Sequence, residues 1–462
     1  MAERLDQRRE QAAWLYVIIV LVIVFALSEL ISRYYFSDPQ PDDKAGYPLF
    51  VMTRWTNPLK SIPIDKLNLA YCAGRVSVMF SSKSLADRMF SCKNKTVIKD
   101  NAGLLRVSAT HLIVGDIDSL SPRYKAISVS GKDYFTMPKD YPLVNSPRRN
   151  HDTIAKSLTR ISITGVTAIT RATGIIADRH GPNYLIQKVK RQFKDSHYVH
   201  ISNEVSVIPN HSYGGGLKFA TKPEHLAVIK KLNPNIFVEL TGNHIRDFGN
   251  GPLLNTLKWY RDNNIPYFGG GKNPVEAAKP LILKLKDKST LAFIGFNTNC
   301  ILGECSKSRN QPGANPYHSQ KAKQIIHNLR VKQGVNYIIA SAQFRERDSY
   351  YPIPNQIRVA RELISFGADM VYGSQAHQIQ IAEFHKGRPV FYGLGNFLFD
   401  QIHKPGVRQG MFLHLYFYRG RLIQIVPFYT MISNNRRPVP ASQAQSYYLQ
   451  SLVFQDRFLY RP

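Results

Sequence analysis

The stretch Thr241-Gly-Asn-His-Ile-Arg-Asp-Phe-Gly249 decides how this chain folds. In front of it stands Asn235-Ile-Phe-Val-Glu-Leu240, a β-branched and aromatic run with the character of a strand. Behind it, Leu253, Leu254, Leu257 and Tyr260 recur at helical spacing. A strand therefore ends in a polar loop and a helix follows. In α/β proteins, ligands bind at such loops, outside the carboxyl ends of strands. An amide, an imidazole and a carboxylate lie close together here, a donor set suited to a metal or phosphate site. The same residues also read as helix caps, with Asn243 and Asp247 satisfying the first N–H groups of the helix.

Outward from this loop the alternation continues. Strand-like runs occur at Thr159–Thr164, Tyr198–Ile201, Leu291–Phe296, Asn336–Ala340 and Asp369–Tyr372, with helical runs at Tyr184–Phe193, Glu224–Leu232, Lys321–Gln333 and Gln356–Phe366. Met411–Tyr418 and Leu422–Phe428, joined through Arg419-Gly-Arg421, read as a β-hairpin. This order implies an α/β fold with a largely buried sheet and a β-rich end. Upstream, residues 45–148 mix short strands and helices as a small α/β domain. A polar linker separates it from residues 155–435, and residues 436–462 form a C-terminal tail.

The 462 residues carry a formal net charge of +29, which calls for an acidic partner. Nucleic acid is disfavoured, because no zinc-finger spacing is present and the basic residues are dispersed. The four cysteines fall in two close pairs, Cys72 with Cys92 and Cys300 with Cys305, which suits two disulfides formed outside the reducing cytosol. Ala12–Leu27 is uncharged and follows Arg4, Arg8 and Arg9. With its apolar flank it approaches the roughly 20 residues needed to cross a bilayer. It reads as an uncleaved transmembrane anchor within residues 1–36, or as a cleaved signal peptide. The expectation is a single N-terminal helix with the bulk of the chain extracytoplasmic, periplasmic or at the cell surface.

Several blocks resemble a known family. Thr241-Gly-Asn-His-x-x-Asp-x-Gly249, Ile265-Pro-Tyr-Phe-Gly-Gly-Gly-Lys-Asn-Pro274, Gln356-x-x-x-Ala-Arg-Glu-Leu-Ile364 and Gly387-Arg-Pro-Val-Phe-Tyr-Gly-Leu-Gly-Asn-Phe-Leu-Phe-Asp-Gln401 recur in the order found in the CapA family of capsule and poly-γ-glutamate synthesis proteins. That family is similar to calcineurin-like metallophosphoesterases. The resemblance implies a two-sheet α/β sandwich whose loops hold metal ions at one end. Residues 45–148 also resemble part of a phosphate-type periplasmic binding domain, through Pro58–Leu67, Ser121–Gly131 and Tyr141-Pro-Leu143.

The resemblance places metal ligands in five loops, and this sequence departs from the pattern in three. Val166 stands where a carboxylate is expected, Ala342 where an imidazole is expected, and Gln375 at a further histidine position. Glu204, Asn243, His244, Glu346 and His377 remain. The resemblance thus implies at most one divalent ion, Mn²⁺ or Mg²⁺, held by Glu204, Asn243 and His377 with help from Gln375. Otherwise these groups form a closed hydrogen-bond network with no metal. His244 beside Asp247 would act as an acid or orienting pair, with Glu346 as a further catalytic carboxylate and Gln375 and Asn396 as binding groups. Two functions follow. One is synthesis, retention or export of an acidic polymer such as poly-γ-glutamate or capsular polysaccharide, together with membrane subunits of a polymer synthase. The other is hydrolysis by a metal-dependent phosphoesterase.

Overall fold

The computed structural model describes residues 46–144, 149–345 and 347–459. Two large sheets pack face to face. The first has the strand order Tyr267–Phe268, Ile236–Glu239, Tyr198–Asn203, Thr159–Thr167, Gln409–Tyr418, Arg421–Ile432 and Pro438–Pro440, with Asn396–Leu398 added beside Thr159–Thr167. The second runs Leu281–Lys284, Thr290–Asn297, Tyr337–Gln343, Met370–Ser374, Arg388–Phe391 and Ala382–His385. Ile161, Ile163 and Phe237 of the first sheet meet Phe293, Ile339 and Tyr372 of the second in one apolar core.

Helices cover both outer faces. Asn250–Asp262 packs Leu253, Leu257 and Tyr260 against Val199, Ile201 and Val238. On the other side, Ser319–His327 and Pro354–Ser365 pack against Ile338, Ala340 and Ala342. The central strand Thr159–Thr167 is buried along its whole length, and most of its residues are β-branched. It pairs in parallel with Tyr198–Asn203 and antiparallel with Gln409–Tyr418. The carboxyl ends of the parallel strands all point to the same end of the sandwich, and the candidate site lies there.

The N-terminal part forms a third sheet of six strands, with Leu49–Arg54 near its middle. Its core is completed by Tyr416, Tyr418 and Ile423 from the long hairpin. Residues 438–459 add the edge strand Pro438–Pro440 and two helices, whose Leu449, Val453 and Leu459 join the inter-sheet core. Both cysteine pairs, Cys72–Cys92 and Cys300–Cys305, are disulfide-bonded.

The membrane-spanning element of the expected architecture needs correction. Among the described residues no helix is long and apolar enough to cross a membrane. The longest, Asn250–Asp262, has 13 residues. At 1.5 Å per residue it reaches about 20 Å, against about 30 Å of hydrocarbon, and its apolar face is already covered by protein. Among the described residues the expected architecture is therefore corrected to one without a membrane-spanning helix, and the membrane partner, the membrane subunits and the extracytoplasmic placement that rested on such a helix have no support there. The run Ala12–Leu27 itself lies outside the described residues.

Gly165 shows how closely the site end is packed. A Cβ there would lie 2.1 Å from the carbonyl oxygen of Gly395. Gly165→Ala is therefore expected to lower stability by about 2 kcal/mol through overpacking, read as a shift in the urea unfolding midpoint at unchanged slope.

Candidate functional site

The strand Ile236–Glu239 delivers the loop that follows it to the mouth of the sandwich. Gly242 lets this loop press against its neighbour, since a Cβ there would come within 2.8 Å of the Glu204 Cα. The helix begins after Gly249, which caps it without a side-chain bond, so neither Asn243 nor Asp247 is a helix cap. Asp247 Oδ2 instead accepts from the backbone N–H of Phe219 at 2.8 Å and lies 2.7 Å from His244 Nδ1.

Beneath the loop sits a fully buried carboxylate. Glu239 Oε1 accepts from the Thr241 hydroxyl, while Oε2 accepts from the Tyr372 hydroxyl at 2.9 Å and lies 3.1 Å from His200 Nε2. Burial alone would push its pKa up, but the hydrogen bonds and charge of its partners outweigh that and hold it below the ordinary glutamate value.

The cavity above is about 460 Å³ and is lined by Asn243, Asn297, Asn299, Gln343, Arg345 and Gln375, among others. Its floor is an amide–carboxylate cluster. Gln343 Nε2 donates to Glu204 Oε1 at 3.2 Å, to Asn243 Oδ1 at 3.4 Å and to Gln375 Oε1. Glu204 is fully buried, and its Oε2 has no hydrogen-bond partner; neither has Gln343 Oε1. Gln375 adopts φ +76°, a left-handed backbone that long side chains rarely take.

Gln343 is the residue that sequence reasoning missed. Ala342 faces the outer helices with Ile338 and Ala340, whereas Ile339 on the alternate positions faces the inter-sheet core. With a period of two, the side chain entering the site from this strand is Gln343 and not that of Ala342. Asn297, Asn299 and Arg345 were also missed; Asn297 ends the strand Thr290–Asn297, the other two follow strands in irregular segments, and no motif marks them.

The remaining residues separate into other groups. His377 is buried with its Nδ1 2.8 Å from Asn396 Oδ1, and its ring stacks on Phe399 at 5.2 Å. Asn396 also donates to the Val407 carbonyl at 3.0 Å. The His244 ring lies 4.1 Å from the Phe219 ring. Between the two histidines, the Arg171 guanidinium sits over both Phe219 and Phe399 and is paired with Asp400. The structure thus gathers Glu204, Asn243 and Gln375 around Gln343, and sets His244 with Asp247 and His377 with Asn396 outside the cavity lining. Glu346 lies outside the described residues.

Two metal positions are not equivalent here. Val166, where a carboxylate was expected, belongs to a buried apolar cluster with Ala168, Val205, Phe219 and Phe399. A cation there would meet hydrocarbon, so the residues do not fit a second ion. Among the described residues, no group of three or more His, Cys, Asp or Glu converges. The Gln343 cluster does fit one hard ion. It offers a carboxylate oxygen without a partner and several amide oxygens, a donor set for Mg²⁺, Mn²⁺ or Ca²⁺ rather than Zn²⁺.

The family model for the bacterial capsule synthesis protein PGA_cap matches residues 160–401, from the central strand to the end of the Asn396 segment. The chain belongs to this family. Over 235 residues it is 26% identical to the capsule biosynthesis protein CapA of Bacillus anthracis, covering 49% of this chain and 56% of that protein. Over 243 residues it is 25% identical to the PGA biosynthesis protein CapA of Bacillus subtilis, covering 52% and 63%. The match thus spans only part of these relatives' length, and the PGA_cap match does not include the N-terminal sheet. Two solved structures, the NAD nucleotidase of Haemophilus influenzae and a putative 5'-nucleotidase of Staphylococcus aureus, each align over 64% of this chain. Their TM-scores are 0.36, at 13% and 14% identity, too distant to bear on the site.

The Glu239 network makes a pH prediction. Its folded pKa is depressed, so the stability it contributes is present above the ordinary value of 4.5 and is lost as pH falls through the folded value. Glu239→Gln is expected to flatten the acid-side fall in unfolding free energy by up to about 1.4 kcal/mol per pH unit over its titration range, measured by urea denaturation across roughly pH 5 to 2.

Proposed function

We propose that the PGA_cap domain is a metal-dependent hydrolase of the phosphoesterase class. It holds one hard divalent cation in the Glu204–Asn243–Gln343–Gln375 cluster and takes an anionic substrate in the cavity above. The observation that carries this reading is the buried Glu204 Oε2 without a hydrogen-bond partner, amid amide side chains. An uncompensated buried carboxylate is costly, and a cation at that oxygen compensates it. A half-turn of the Gln343 amide would exchange Nε2 for Oε1, turning a donor to three oxygens into a fourth oxygen ligand. The cation, when bound, supplies Lewis-acid polarisation of the reacting group and activation of water.

The chain's own residues define the rest of the chemistry. Arg345 and Arg347 line the cavity and place positive charge where an anionic group enters. Asp348 also lines it. Burial favours its neutral form, but hydrogen bonds and charge from Lys404 and His403 outweigh this, so its carboxyl stays below the usual range. It is therefore ionised and cannot serve as a proton donor near neutral pH. A leaving group that departs without a proton, such as a phosphoester oxygen of low basicity, suits this cavity better than an amine. The relatives named for capsule and PGA biosynthesis, and the net charge of +29, favour a polyanion as the molecule bearing that group.

A second reading rests on a different observation. Gln343 Nε2 already donates to Glu204, Asn243 and Gln375, a network that closes without a cation. In that case the cleft binds the polyanion and breaks no bond.

Calorimetric titration of the full chain with Mn²⁺ and Mg²⁺, paired with turnover of bis(p-nitrophenyl) phosphate, separates the two. The hydrolase reading expects one bound ion, with affinity reduced at least about tenfold in Glu204→Gln. Gln343→His, which puts an imidazole on the strand face that enters the site, is expected to raise Mn²⁺ affinity by about tenfold. No ion bound and no turnover would sink the hydrolase reading.

A further inference from the structure

A second cavity, about 510 Å³, lies where the N-terminal sheet meets the long hairpin, remote from the Gln343 cluster in the fold. Its walls include Trp55, Lys60, Lys125, Gln192, Tyr429 and Pro440. Lys125 is unusual among them. It stands on the strand Tyr124–Val129, is only 7% exposed, and donates to the carbonyl of Asn57. An ammonium has three hydrogens to place, and no carboxylate among the described residues pairs with Lys125 or with the neighbouring Lys60. Burying such a charge unpaired is costly. Burial, reinforced by the charge of Lys60, lowers the Lys125 pKa to about 8. The other titratable groups lining the cavity are Lys60 and Tyr429, and the buried Tyr429 hydroxyl has no partner.

The walls narrow the ligand class. Trp55 stacks on Phe454 at 4.3 Å and is held flat, while proline and aromatic side chains of the hairpin form apolar surface. No arginine lines the cavity among the described residues. Without an arginine fork, the cavity offers point charges rather than the bidentate geometry that selects phosphate. A singly charged carboxylate matches one buried ammonium, and an apolar body matches the walls.

We propose that this cavity is a binding site for a small organic carboxylate with an apolar body, its carboxylate paired with Lys125 and with Lys60 on the exposed side. The site stands apart from the cleft of the PGA_cap domain and does not rest on the hydrolase reading.

The test uses the full chain and calorimetry, with benzoate as probe and benzamide and inorganic phosphate as controls. Benzoate is expected to bind at least tenfold more tightly than either control. Above pH 8 its binding should take up protons from the buffer, as Lys125 recharges on pairing. Lys125→Met should weaken benzoate at least tenfold, while Glu204→Gln leaves it unchanged. Should Lys125→Met fail to fold, Lys60→Met, at an exposed position, is expected to weaken binding severalfold, and the proton uptake remains readable in the parent protein. Absence of benzoate binding, equal affinity for benzoate and benzamide, no proton uptake, or a folded Lys125→Met with unchanged affinity would each overturn the proposal.

Discussion

A carboxylate sealed between two sheets governs the geometry of the whole site end. Glu239 comes from one sheet, Tyr372 from the other, and Thr241 from the loop that carries Asn243. Stripping a carboxylate of water costs several kcal/mol, which is offset only while every partner stays in place. The sheets therefore cannot slide past each other without exposing that cost. Because they cannot slide, Asn243 on the first sheet's loop and Gln343 on the second sheet's strand keep a common register. The cavity is a product of this lock between sheets as much as of the residues that line it.

Much of the architecture is legible in the chain because hydrophobic period and strand–helix alternation are local signals. Thr159–Thr167, Tyr198–Asn203 and Ile236–Glu239 stand out as β-branched runs, and the hairpin around Gly420 is marked by its turn. The site is less legible. At Ala340-Ser-Ala-Gln343 small residues occupy both faces of the strand, so the sequence has no polar–apolar contrast to set the phase. A one-residue slip then exchanges the core side chain for the site side chain. Val166 is a different case. Its replacement of a carboxylate was visible, but the apolar cluster with Phe219 and Phe399 is assembled from segments far apart in the chain. Lys125 gave no signal at all, since its burial depends on Asn57 and the hairpin.

The chemistry of the cleft has shifted in kind as well as in number. Amide side chains do not titrate and carry no charge, so Asn243, Gln343 and Gln375 keep one electrical state over the pH range where imidazoles would change theirs. For the single ion proposed above, selectivity would rest on oxygen donors, which favours hard ions over zinc. The apolar filling around Val166 keeps the neighbouring position dry, and Arg171, paired with Asp400 over Phe219 and Phe399, stiffens that filling.

The hairpin Gln409–Ile432 has a consequence for how the chain is made. Its Tyr416, Tyr418 and Ile423 complete the core of the N-terminal sheet, and the Ala126 N–H donates to the Gln424 side chain across 298 residues of sequence. During synthesis the N-terminal strands leave the ribosome before the hairpin that closes their core. Contacts of such separation are slow to form. Until those hairpin residues emerge, the N-terminal sheet has an apolar flank that its own strands do not cover, the kind of surface through which partly made chains aggregate.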